Sequence, residues 1–112
     1  MKKVESSNRI LKIEGSEFEL EYNIREVRII NDLAVVIYKF DENAPKHRQF
    51  KNCNAFDKNG RLIWIAQHPT NMTADSYVEF MKGNKNRIWN FGGFICELDF
   101  QNGKLKNAEF TK

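Results

Sequence analysis

Reactive and cross-linking residues are scarce in this chain of 112 residues. Its two cysteines are too few for the disulfide framework of a small secreted domain, and neither stands in a C-x-x-C or Cys/His spacing that would hold zinc. Cys53 and Cys96 are expected as small buried thiols, and no metal site or cofactor is expected. The two histidines are His47, between Lys46 and Arg48, and His68, beside Pro69. The cations around His47 suit a general base, yet spacing ties no nucleophile or carboxylate to either ring. A Gly-rich phosphate cradle, H-E-x-x-H, G-x-S-x-G and an Asp-rich calcium loop are all missing. These absences exclude the familiar signatures of hydrolases, phosphotransferases and metalloenzymes, and the chain is expected not to be an enzyme. No apolar run approaches the roughly 18 residues that cross a bilayer. The basic start, Met1-Lys2-Lys3, has no apolar stretch behind it, so no signal peptide is expected and a cytoplasmic location is.

What is present is ordinary for a globular domain: 41% hydrophobic and 29% charged residues, with nine Phe and two Trp for a core. One domain over residues 1–112 is expected, with residues 1–9 open to being a disordered tail. The strongest signal is a hairpin pattern that occurs twice. Cys53-Asn54-Ala55-Phe56-Asp57-Lys58-Asn59-Gly60-Arg61-Leu62 is echoed 43 residues later by Cys96-Glu97-Leu98-Asp99-Phe100-Gln101-Asn102-Gly103-Lys104-Leu105. Asn and Gly tolerate the positive φ that hairpin loops require. A type I turn with a bulge at Gly60 and a two-residue Asn-Gly turn both fit.

The rest of the chain follows the same grammar. Ile10–Glu14 reads as a strand, Gly15-Ser16 as its turn, and 17–22 as a half-buried strand. There Phe18, Leu20 and Tyr22 face one way and Glu17, Glu19 and Glu21 the other. Strands 24–30 and 33–40 meet at Asn31-Asp32, and the unbroken apolar run Leu33–Tyr38 should be central and covered on both faces. Residues 41–50 read as a polar loop that offers a core nothing to hold. Tyr77–Met81 suits a strand or one helical turn, and Gly92-Gly93 a bulge or sharp bend. The expected fold is an all-β antiparallel meander of about eight to ten short strands with little or no helix, closing as a β-sandwich or partly open barrel.

Two surfaces stand out. Residues 1–42 carry nine acids and seven bases, whereas residues 43–112 carry eleven bases and six acids. Three glutamates on one strand face repel one another, and nothing in folding calls for them. Glu17, Glu19 and Glu21, with Asp41 and Glu42 in the following loop, are candidates for meeting a cationic partner. The charges equally protect a sheet edge. Lys46, Arg48, Lys51, Lys82, Lys85 and Arg87, with Trp64, Trp89, Phe91 and Tyr77 for stacking, are the candidates for single-stranded nucleic acid. A core environment for both tryptophans argues against that use. An apolar ligand held among the many phenylalanines is a third expectation.

The chain resembles the small β immunity proteins of contact-dependent inhibition and related polymorphic toxin systems. The resemblance lies in Asn54–Trp64, in Trp89-Asn90-Phe91-Gly92 leading to Leu98–Leu105, and in Glu17–Val27. The Asp-x-x-Gly-x-Leu segment also resembles blade hairpins of β-propellers, although 112 residues are too few for a whole propeller. The first resemblance implies a non-enzymatic inhibitor that binds a toxin's catalytic domain, often a nuclease, and blocks its active site. Carboxylates would then occupy a groove that is built for phosphates.

Overall fold

The computed structural model describes residues 1–83 and 86–111. Among these residues eleven strands run in chain order: β1 (Val4–Ser7), β2 (Ile10–Ile13), β3 (Ser16–Glu19), β4 (Ile24–Ile30), β5 (Leu33–Tyr38), β6 (Cys53–Phe56), β7 (Leu62–Ile65), β8 (Tyr77–Phe80), β9 (Arg87–Asn90), β10 (Phe94–Leu98) and β11 (Leu105–Phe110). No helix occurs among the described residues. The strands form three antiparallel meanders, β1-β2-β3, β4-β5-β6-β7 and β8-β9-β10-β11, each pairing only sequence neighbours. Tyr77–Phe80 resolves as a strand, and Gly92-Gly93 as the turn that reverses the chain between β9 and β10.

The three sheets stack, because the middle one is apolar on both faces. Along β5, Ala34, Val36 and Tyr38 enter a core shared with Leu11 and Ile13 of the first sheet. Val35 and Ile37 enter a second core with Tyr77, Ile88 and Leu98 of the third. These five of the six β5 residues are buried, as the consecutive apolar run requires.

Two expectations change. Residues 4–7 are not a tail: all four register against β2, and Val4 packs on the first core. This strand carries the number of strands past ten. The loop after β5 is also not featureless, since Ala44 and Phe50 are buried in the first core. The Phe50 ring lies 6.2 Å from Tyr38, nearly parallel to it, and 4.8 Å from Tyr22 edge-on. Burying one phenyl group recovers roughly 1.5–3 kcal/mol, enough to anchor a polar loop by a single side chain.

The repeated hairpins differ by one residue, and that residue inverts a strand. In the first, the Asp57 carbonyl accepts from Gly60 N at 3.0 Å and Gly60 has φ +75°, a type I turn followed by a bulge. In the second, Asp99 O accepts from Gly103 N at 2.7 Å, one position further on. Side chains alternate along a strand, so an added residue flips the face. Counted back from each Asp, Cys53 corresponds to Ile95, on the outer face of the third sheet, rather than to Cys96. Both thiols consequently lie in the core between the second and third sheets. Burial pushes both up, Cys53 further with Cys96 nearby, and Cys96 to about 11, so neither is a ready nucleophile.

Candidate functional site

Glu17 and Glu19 are exposed on β3, an edge strand of the first sheet. They are not unopposed. Lys12 registers between Glu5 and Glu17 across the three strands, and Arg9 lies 3.8 Å from Glu19. Cross-strand cations offset the repulsion that alternation alone suggests. Glu21 and Glu42 are exposed outside the strands. The Asp41 carboxylate is already occupied: Asn23 Nδ2 and Asn43 N each donate to it at 3.0 Å. The Asn23 bond above all holds its carboxyl below the usual range, leaving it as a loop clamp. The five acids thus divide between a sheet edge and the sheet ends.

An apolar row adjoins that acidic edge. On β7, Trp64 faces the core and donates Nε1–H to Phe100 O at 3.0 Å, whereas Leu62, Ile63 and Ile65 are 46%, 44% and 47% exposed. The first sheet has three strands against the second sheet's four, so β7 stays uncovered. Phe18, between the two glutamates, lies against Gly60, two residues before Leu62. The charged strand therefore meets the turn that leads into the apolar one.

The basic candidates do not converge. Lys46, Arg48 and Lys51 are exposed in the β5–β6 loop, with Arg48 reaching the Tyr22 hydroxyl at 3.5 Å beside the first core. Lys82 follows β8 and Arg87 lies on β9, both at the third sheet beyond the middle one, and Arg87 registers with Glu97. Lys85 lies outside the described residues. Trp64 is 6% exposed and Trp89 39%, so only the latter offers a stacking face.

His47 is exposed in the same loop, whereas His68 meets a carboxylate. His68 Nδ1 is 3.3 Å from Asp75 Oδ1, and both side chains are 2% exposed. Asp75 also accepts from Thr70 N at 2.8 Å, from the Thr70 hydroxyl and from Asn90 Nδ2. These bonds clamp the β7–β8 connection to β9. Burial alone would raise the Asp75 carboxyl, but the donors from Thr70, Asn90 and His68 outweigh it and hold it low. Burial pushes the His68 imidazole down despite Asp75. The neutral ring donates Nδ1–H to Asp75, and Nε2 is enclosed without a partner among the described residues.

A pH dependence follows. The unfolded chain takes up the His68 proton more readily than the folded one, so this stability is present above the ordinary value of about 6.5 and declines on acidification below it. Asp75, also lowered, adds a loss in the same direction at lower pH. The melting temperature is expected to fall between pH 7.5 and pH 5, and to fall less in His68→Gln, which keeps a donor for Asp75 without titrating. Parallel pH profiles for the two proteins would remove His68 as the cause.

At the β4 and β8 edges a cleft of about 390 Å³ opens between the second and third sheets. Two bulges frame it. The β4 register jumps from Ile24–Tyr38 to Glu26–Ile37, which makes Arg25 the extra residue. The β8 register jumps from Tyr77–Asn90 to Glu79–Trp89, which makes Val78 the extra one. A bulge bends its strand and re-aims a side chain, and both Arg25 and Val78 line the cleft. Buried Tyr38 and Tyr77 line it deeper, and Phe40 and Phe91, 59% and 63% exposed, line its mouth. The flanking edges are tied by Glu26 Oε1 accepting from Phe80 N at 2.6 Å and by the Arg28 guanidinium 4.3 Å over the Phe80 ring. None of these cleft residues carries a motif, and a bulge leaves no mark in the sequence.

A family model described as a domain of unknown function, DUF7957, matches residues 1–110, almost the whole chain. No curated protein matches, and no solved structure does.

Proposed function

We propose that this chain, which belongs to the DUF7957 family, is a binding protein that neutralises a toxin domain in the cytoplasm by covering its active site. The observation that carries the reading is the exposed row Leu62, Ile63 and Ile65 beside the acidic edge of Glu17 and Glu19. An apolar centre with a charged rim is the usual anatomy of a protein–protein interface. The rim carboxylates speed encounter with a cationic groove, and the isoleucines supply the area that slows dissociation. Rigid strands hold both, so little ordering entropy is lost on binding.

Pull-down and titration with the product of the neighbouring open reading frame test the reading. Ile63→Asp combined with Ile65→Asp should weaken binding by at least about a hundredfold, the scale of lost interface anchors, with an unchanged melting curve. Glu17→Lys combined with Glu19→Lys should chiefly slow association and flatten its salt dependence. Absence of binding to the neighbouring product, or full affinity in the isoleucine variant, defeats it. Single-stranded nucleic acid has weaker support, because the basic residues divide between two sides of the stack.

A further inference from the structure

We infer that the bulge-framed cleft is a binding site for a small apolar carboxylate, with Arg25 and Ser76 meeting the head group. Its volume of about 390 Å³ falls within the range of small-molecule sites. Its walls are mostly apolar. Phe40 and Phe91 at the mouth expose two phenyl rings that an apolar ligand would cover.

Two polar groups break that surface. Arg25 is placed there as the bulge residue of β4, and its partner Glu79 is 3.4 Å away with both side chains 46% exposed. Such a pair is worth little and exchanges readily for a better acceptor. Ser76 also lines the cleft and is only 4% exposed. Its carbonyl accepts from Phe91 N at 2.8 Å, but its hydroxyl makes no hydrogen bond to any described residue. One guanidinium and one hydroxyl suit a planar monoanion, since a carboxylate accepts two N–H groups of the Arg fork. A phosphate dianion would call for more donors. This site does not rest on the β3–β7 surface, and the isoleucine variants should leave it untouched.

Calorimetric titration with 3-phenylpropionate and octanoate, each against its alcohol, tests the inference. Both acids should bind at least about tenfold more tightly than the alcohols, the scale of a charge-assisted hydrogen bond. Arg25→Gln should erase that preference and keep the alcohol affinity, and Ala74→Trp, at an exposed position lining the cleft, should abolish all binding. Equal affinity for acid and alcohol, no binding by about 10 mM, or a preference that survives Arg25→Gln would overturn it. Ser76→Ala removes only the unpartnered hydroxyl. It should weaken the acids severalfold in a normally folded protein, and unchanged acid affinity there counts against the inference as well.

Discussion

Replacing Asn52 by Ala is expected to destabilise the fold by about 3 kcal/mol or more, at roughly 1–3 kcal/mol for each buried polar group left without a partner. Asn52 is 0% exposed and joins the second sheet to the third through three bonds. Its Nδ2 donates to Tyr38 O at 3.1 Å and to Tyr77 O at 2.6 Å, and its Oδ1 accepts from Tyr77 N at 2.9 Å. No strand pairing links β5 to β8, so this amide takes the place of a ladder between them. In a domain of this size the loss should lower the melting temperature by about 12 °C or more, at about 4–8 °C per kcal/mol. Asn52→Asp should be worse at neutral pH, because a buried carboxylate would face two carbonyls. Acidification should partly restore it by giving back one donor, against the trend of the parent protein. Thermal melts followed by circular dichroism decide the matter. A shift below about 3 °C for Asn52→Ala would mean that the three groups have found other partners.

The strands were legible because each carries a local signal. Alternation marks β3, the Asn-Gly pairs mark the two long hairpins, and the unbroken apolar run marks β5 as doubly covered. What stayed hidden depends on register. With the turn at Gly15-Ser16, Glu17 would register against Glu14, another acid. The chain instead turns with Glu14 and Gly15 at φ +50° and +88°, which sets Lys12 opposite Glu17. The acidic face was therefore visible and its counter-charges were not. The matching offsets of Cys53 and Cys96 suggested structural equivalence, and one extra turn residue undid it. Nothing local marks Asn52 at the start of the first repeat hairpin, because its partners lie 14 and 25 positions away. The cleft was least legible of all: Arg25 and Val78 are ordinary strand residues until two bulges turn them to the same place. The row Leu62-Ile63-Trp64-Ile65 read as core throughout, but an edge strand beneath a narrower sheet buries only the face that carries Trp64.

Gly103→Ala should cost about 3–4 kcal/mol, from two causes that add. Gly103 has φ +77°, where a side chain costs roughly 1–2 kcal/mol. A Cβ there would lie 2.5 Å from Trp64 Cε3 and 2.8 Å from Cδ2. Trp64 cannot retreat, since its ring is buried and its Nε1–H is held by Phe100 O. Overpacking of this kind costs a further 1–3 kcal/mol or so. Gly15→Ala separates the causes: φ is +88° there, but nothing lies within 4 Å, so only the backbone part should appear, about 1 kcal/mol. Gly60→Ala should fall between them, because the ring it would strike belongs to half-buried Phe18, which has room to turn outward. Trp64→Leu should relieve part of the Gly103→Ala penalty, leaving a coupling of about 1 kcal/mol in a double-mutant cycle. Equal losses at Gly15 and Gly103 would show that the close approach is not felt. The carbonyl of Gly103 also accepts from Gln67 N at 2.8 Å, so forcing this turn away from Trp64 pulls at the seam between the second and third sheets on the side away from the cleft. The same substitution should accordingly weaken carboxylate binding only to the extent that it loosens the whole stack, in proportion to lost stability. Substitutions at Arg25 should weaken binding without any such loss.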